Sequence, residues 1–107
     1  MTCDVILIAN DNLIKLTGLK DVKTDTYQND ATVTATLKTM SGSNVSGQSW
    51  PLSLNYIAAS NGDYDGILED ALVLSAGTQY KLEITAILTG GIQLFVEKIV
   101  TAVVRDN

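Results

Sequence analysis

The stretch YKLEITAIL, residues 80–88, shows the alternation that decides the fold. Every second position of the stretch is apolar, namely Tyr80, Leu82, Ile84, Ala86 and Leu88. Lys81, Glu83 and Thr85 fill positions between them. Because successive side chains of a β-strand point to opposite faces, this pattern predicts a strand with one face on a core and the other in water.

Two further stretches show the same period of two. ATVTATLKT, residues 31–39, places Ala31, Val33, Ala35 and Leu37 on one face. WPLSLNY, residues 50–56, does so with Trp50, Leu52, Leu54 and Tyr56. Threonine and other β-branched residues are frequent in these stretches, and they favour strands over helices.

Turn-forming segments separate the alternating stretches. Each combines Gly with Ser, Asn, Asp or Thr: SGSNVSGQ (41–48), SNGDYDG (60–66), SAGTQ (75–79) and TGG (89–91). We therefore predict strands near residues 4–9, 12–17, 31–40, 50–57, 63–74, 79–88 and 92–104, of which the fifth could divide in two. About seven short strands predict an all-β fold, with residues 1–107 forming one antiparallel β-sandwich domain. The longest connection, residues 18–30, is expected to be a functional loop or a bridge between sheets.

The turn before residues 80–88 carries a more specific spacing. Leu74, Gly77 and Tyr80 form the pattern Leu-x-x-Gly-x-x-Tyr. In immunoglobulin-type sandwiches, a tyrosine near the start of one strand turns its hydroxyl back to an upstream backbone group. The segment resembles its counterpart in fibronectin type III domains, which implies an immunoglobulin-like sandwich with this contact at Tyr80. The alternative is an ordinary glycine turn before a strand whose tyrosine only fills the core.

The last predicted strand, IQLFVEKIVTAVV (residues 92–104), is apolar on both faces. Ile92, Leu94 and Val96 share one face, and Phe95, Ile99 and Val103 share the other. Either a bulge near Glu97 and Lys98 shifts the phase of the strand, or both of its faces are covered. Terminal strands lie at the edges of an immunoglobulin-like sandwich, and apolar edges pair with other chains unless they are protected. Phe95, Ile99 and Val103 are therefore the candidate self-association residues.

The stretch SNGDYDGILED, residues 60–70, resembles the front half of a calcium loop. Counting from Asn61 as the first position, Asp63 is third, Asp65 fifth and Gly66 sixth. The twelfth residue, which should be a bidentate Glu, is Leu72. No helical pattern flanks the segment. We therefore predict a hairpin turn here, with a weak cation site of the kind found in sandwiches as the alternative.

The aromatic residues raise the question of carbohydrate binding. Trp50 and Tyr56 share a phase with two leucines, which is typical of a core position. Tyr27 and Tyr64 fall in predicted loops. They are the candidate surface contacts for a sugar or a cell-surface ligand, together with the loop of residues 18–30.

Composition excludes several classes of function. The net charge is −5, with a single Arg and no His. Nucleic acids and anionic membranes bind clustered Lys and Arg, so neither is an expected partner. Without His, a Ser-His-Asp or Cys-His mechanism and a His-ligated zinc have no central group. The acidic residues are spread over loops without a defined acid–base pair, so we predict no catalytic residues, no metal site and no cofactor: the protein is not expected to be an enzyme.

The single cysteine and the N-terminal sequence bear on location. Cys3 cannot form an internal disulfide, although it could cross-link two chains. The apolar run VILIA, residues 5–9, is too short to span a membrane and lacks the features of a signal peptide. The protein is therefore expected to stay in the cell that makes it, or to leave as part of an assembly.

Several segments together resemble a family of small proteins. They are NDNLIKLTGL (10–19), YQNDATVTATL (27–37), SWPLSLNYIAASNGDYDGIL (49–68) and GTQYKLEITA (77–86). They are similar to single immunoglobulin-like sandwiches encoded in the structural gene clusters of tailed phages and prophages. The resemblance implies a non-enzymatic virion, tail or assembly component. Such a protein would be made in the bacterial cytoplasm and would contact copies of itself or other virion components.

Overall fold

The computed structural model describes residues 5–104, and every element in that range is a β-strand. The strands are β1 (Val5–Ile8), β2 (Asn12–Leu16), β3 (Lys20–Asp21), β4 (Thr26–Tyr27), β5 (Thr32–Thr39), β6 (Leu52–Tyr56), β7 (Tyr64–Leu68), β8 (Gln79–Ile87) and β9 (Gln93–Val104). The predicted all-β class is confirmed, and each of the predicted strands has a counterpart. The predicted connection at residues 18–30 contains the two short strands β3 and β4, which form a separate hairpin.

Seven strands form one mixed sheet in the order β1-β9-β8-β5-β6-β7-β2, which curves until it is nearly barrel-shaped. The expectation of a wholly antiparallel sheet is wrong. β1 pairs with β9 in parallel, with Val5 opposite Thr101 and Ile8 opposite Val104. No tight turn joins these two strands, so their relative direction is not restricted in the way that a hairpin restricts its strands.

The core contains the alternating residues of the central strands. Val33 lies opposite Ala86, Ala35 opposite Ile84, and Leu37 opposite Leu82. All six side chains are buried, as the alternation predicts. A fully buried leucine or valine contributes about 1.5–3 kcal/mol relative to an exposed one. This cross-strand ladder is therefore a main source of stability.

The indole of Trp50 lies at the border of the core rather than deep within it. The residue is half-buried and packs against the buried cluster. Its Nε1 donates a hydrogen bond to the carbonyl oxygen of Val45 at 2.7 Å. The polar end of the ring is thus paired, while its apolar part covers core residues.

The hydroxyl contact that the sequence predicts at Tyr80 is confirmed. The Tyr80 side chain is buried, and its hydroxyl accepts a hydrogen bond from the backbone amide of Ser75 at 2.9 Å. Gly77 turns the chain between these two residues with a φ of +80°, a conformation that glycine adopts without a steric penalty. The Gly77 amide donates to the carbonyl of Ala102, which ties the turn to β9.

The predicted hairpin at residues 60–66 is confirmed as well. β6 and β7 pair in antiparallel fashion, with Tyr56 opposite Tyr64. β7 is shorter than predicted and ends at Leu68, because the chain turns there. The Gln48 side chain holds this end by donating to the Ile67 carbonyl and accepting from the Glu69 amide.

Replacing Tyr80 with Phe tests the turn before β8. The variant keeps the buried ring but leaves the Ser75 amide without its acceptor, so we expect the free energy of unfolding to fall by about 1–2 kcal/mol. Urea unfolding measures the change. Tyr27→Phe is the matched control, because the Tyr27 ring is exposed. Equal stability of wild type and Tyr80→Phe would contradict the role of the hydroxyl.

Candidate interaction surface

The pairing of β9 with β8 is unbroken from Gln93 to Thr101, which excludes the first of the two alternatives, a bulge near Glu97 and Lys98. Nine consecutive residue pairs run from Gln79–Thr101 to Ile87–Gln93 without a shift. A bulge would place two residues of one strand opposite one residue of the other. Without it, β9 keeps a single phase along its length, and its second apolar face needs another explanation.

Three apolar side chains lie along the outer face of β9. Phe95 is 55% exposed, Ile99 is 38% exposed and Val103 is half-buried. Their phase is opposite to that of the buried residues Val100 and Ala102. We call Phe95, Ile99 and Val103 the outer stripe; their part in self-association remains a prediction.

Neighbouring strands extend the outer stripe. The exposed side chain of Ile87, on β8, lies opposite Gln93 and so close to Phe95 in the ladder. On the other side, Leu7 of β1 lies opposite Val103. The outer stripe is thus flanked by an exposed apolar side chain of β8 at one end and a half-buried one of β1 at the other.

Charged residues of both signs share the outer face with the stripe. Lys81 lies opposite Ile99, and Glu97 lies between the two exposed apolar side chains of β9. Glu83 lies opposite Glu97 and pairs with Lys38, with 2.9 Å between Nζ and Oε1. Apolar side chains and charges of both signs are thus interspersed on this face.

A cavity of about 420 Å³ lies on the inner side of β9. Residues of β2, β8 and β9 line it, among them Ile14, Leu16, Ile84 and Val96. Val96 faces inward, yet it is 45% exposed. β9 therefore presents incompletely covered apolar side chains on both of its faces.

Tyr64 does not belong to the surface, so its assignment as an exposed loop contact is wrong. It begins β7 and is only 1% exposed, with its ring 5.7 Å from that of Tyr56. Its hydroxyl accepts from the Ala31 amide at 3.0 Å and donates to the Gln28 carbonyl at 2.6 Å. The sequence carried one signal for this burial: Tyr64 has the same parity as Leu68, which is fully buried.

Tyr27 is exposed as expected, at 45% of its surface. It lies in β4, and the ammonium group of Lys20 is 4.8 Å from the centroid of its ring. That lysine also pairs with Asp25 at 3.5 Å. Because Tyr64 is buried, the two tyrosines do not form a common exposed platform for a sugar.

The polar residues of the stretch 60–66 bind other loops. An Asp63 carboxylate oxygen accepts from the Gly18 amide at 2.9 Å, and the Asn29 amide oxygen accepts from the Gly62 amide at 2.8 Å. Within residues 5–104, no three Cys, His, Asp or Glu side chains lie close enough together to hold a metal ion. Over the same range there is no helix that could cross a bilayer. Cys3 lies outside the described residues.

Comparison with known proteins returned no relative: no family model, curated protein or solved structure matches this chain.

Tyr64→Phe tests how the β6–β7 hairpin is held to the chain before β5. The substitution leaves the Ala31 amide and the Gln28 carbonyl without their partner, so we expect a loss of about 1–3 kcal/mol in the free energy of unfolding. Tyr27→Phe again serves as the exposed control. A change of similar size in both variants would show that the buried hydroxyl has no special role.

Tyr64 should also make the free energy of unfolding depend on pH in the alkaline range. Burial raises the pKa of Tyr64, and the negative charge of Asp30 adds to the increase. The native state therefore disfavours the phenolate. The resulting stability is fully present below the pKa of an unfolded tyrosine, about 10, and is lost as the pH rises towards the folded pKa. Urea unfolding between neutral and alkaline pH should show a smaller alkaline loss in Tyr64→Phe than in wild type, whereas equal losses would contradict the prediction.

Proposed function

We propose that this protein is a non-enzymatic structural or assembly module that acts through protein–protein contacts, with a second copy of the chain as its partner. The observation that carries the proposal is the outer stripe on a strand without a bulge. Phe95 and Ile99 expose large apolar area on a regular sheet surface, where no irregularity of the strand accounts for them. Burying them against another protein removes that area from water.

The charges around the outer stripe favour a second copy of the same chain as the binding partner. An isologous interface brings one surface patch against itself, so any charges within the patch are matched only if both signs are present. Lys81 and Glu97 lie on the same face as the stripe and can pair with each other across a two-fold axis. A patch of one sign would instead repel its copy.

The family resemblance extends this proposal to a place of action. The segments between residues 10 and 86 that resemble phage and prophage structural proteins support a virion or tail-associated, immunoglobulin-like module made in the bacterial cytoplasm. The contact between Tyr80 and Ser75 supports the immunoglobulin-like relationship, because that class of sandwich uses a tyrosine hydroxyl in the same way.

Binding of a carbohydrate or a cell-surface ligand ranks second. One observation favours it, the exposed ring of Tyr27. Lys20 lies over that ring, and the second tyrosine on which the hypothesis relied is buried. Binding on a broad glycan array that Tyr27→Ala abolishes would move this function to first place.

Charge introduced into the outer stripe tests the proposed function. We expect wild type to form a defined oligomer, measured by light scattering after gel filtration with reductant present to exclude cross-links through Cys3. Phe95→Glu or Ile99→Glu should weaken association at least tenfold, about 1.4 kcal/mol, because each buries an unpaired carboxylate in the interface. Val22→Glu is the matched control, since it places the same charge on an exposed valine of the β3–β4 hairpin.

Two outcomes would contradict the proposal. One is a wild-type protein that stays monomeric up to its solubility limit. The other is a set of stripe variants with the same mass and the same concentration dependence as the Val22→Glu control.

A further inference from the structure

The loop between β6 and β7 contains the only Asn-Gly step in the sequence, Asn61–Gly62. Asn61 is exposed, and its side-chain amide has no hydrogen-bond partner among residues 5–104. Asparagine is a thermally labile residue. It is most labile before glycine, because glycine has no side chain to hinder attack by its own backbone nitrogen on the preceding residue. The loop therefore presents a chemically reactive step to water.

The reaction of such a step is an intramolecular substitution. The backbone nitrogen of Gly62 forms a bond to Cγ of Asn61, and the bond between Cγ and the side-chain nitrogen breaks. That nitrogen leaves as ammonia, taking the proton that the Gly62 amide gives up. The product is a cyclic succinimide. Water then opens it at either of its two carbonyl–nitrogen bonds, which yields aspartate or isoaspartate.

The fold engages the attacking nitrogen in another contact. The Gly62 amide donates to Oδ1 of Asn29 at 2.8 Å, and the Gly62 carbonyl accepts from the Leu19 amide at 2.9 Å. Both partners belong to the long connection between β2 and β5. The peptide groups on either side of Gly62 are thus held in place. The nitrogen is able to turn towards Cγ of Asn61 only when the bond to Asn29 opens, which is a local opening of the structure.

The same packing explains why a glycine follows Asn61. Gly62 has a φ of +71°, which glycine adopts without a steric penalty. A Cβ at this position would lie 2.5 Å from the backbone oxygen of Leu19. A residue that slowed the reaction by its bulk would therefore not fit. The close approach of the two loops requires the residue that makes Asn61 labile.

We propose that Asn61 is a deamidation site whose reaction is controlled by the hydrogen bond from Gly62 to Asn29. The inference goes beyond the proposed function, because neither of these residues belongs to the outer stripe. Isoaspartate adds a methylene group to the main chain before Gly62, so Gly62 loses the position from which it bonds to Asn29 and Leu19. Deamidation during a transient opening thus makes the opening permanent.

The rate of deamidation tests the proposal. The whole protein is incubated in mildly alkaline buffer, which favours loss of the amide proton, and mass spectrometry of its peptides follows the exchange of NH2 for OH at residue 61. Asn29→Ala removes the acceptor, so we expect it to react at least about fivefold faster than wild type, which corresponds to about 1 kcal/mol. Asn29→Asp is the matched variant. It keeps an acceptor oxygen for the Gly62 amide and should stay close to the wild-type rate.

Two further variants locate the reaction and the opening. Asn61→Gln should remove the product, because a longer side chain closes the ring much more slowly. Tyr80→Phe lowers stability at a distant turn, so its rate should equal that of wild type if the contact opens locally rather than by unfolding of the whole domain. Wild type unfolded in urea gives the rate of the site without any protection.

Faster reaction of Asn29→Ala, with slow reaction of Asn29→Asp and Tyr80→Phe, supports the proposal. Equal rates for wild type and Asn29→Ala would overturn the role of Asn29. An equal acceleration in Tyr80→Phe would assign the opening to global unfolding and overturn local control. Folded wild type that reacts as fast as the chain in urea would overturn the proposal without the use of any variant.

Discussion

The unbroken ladder between β8 and β9 is the constraint on which the rest of the structure depends. Because nine pairs follow one another without a shift, every residue of β9 from Gln93 to Thr101 has a fixed side. Val100 and Ala102 complete the core, and β1 docks beside them through the buried side chain of Ile6. The same parity leaves Phe95 and Ile99 outside. The register of β9 against β8 thus decides which of its side chains are buried and which are exposed. A shift by one residue would exchange the two sets.

The opposite end of the sheet is held by a buried polar contact. The Tyr64 hydroxyl serves as acceptor for Ala31 and as donor to Gln28, so both of its hydrogen-bonding roles are filled inside the protein. The Gly62 carbonyl accepts from the Leu19 amide nearby, and a Cβ at that glycine would lie 2.5 Å from a backbone oxygen. The long connection between β2 and β5 therefore lies against the β6–β7 hairpin in close contact.

Local periodicity in the sequence predicts the strands of this fold and their buried faces. It does not predict which distant strands pair with each other. The alternation through Val33 and Leu37 predicts their burial, because a strand of period two has only two faces to assign. The spacing of Gly77 and Tyr80 predicts a hydroxyl contact within the same turn. The parallel pairing of Val5 with Thr101 has no local signal in the sequence, since it joins two segments from opposite ends of the chain.

Among the candidate surface residues, Tyr64 was wrongly assigned to a loop because its sequence neighbours are polar. For the candidate surface, the sequence identifies Phe95 and Ile99, but their exposure depends on the absence of a bulge, which only the pairing with β8 shows.

The parallel pairing of β1 with β9 also determines how the domain would carry mechanical load. Val5 begins β1 at one end of the pairing, and Val104 ends β9 at the other. A force that pulls these two points apart slides the strands along each other, so that their hydrogen bonds resist together rather than opening one after another. Forced unfolding is governed by the unfolding barrier rather than by equilibrium stability. A domain joined in this geometry, between neighbours under tension, can therefore resist extension more strongly than its modest size suggests.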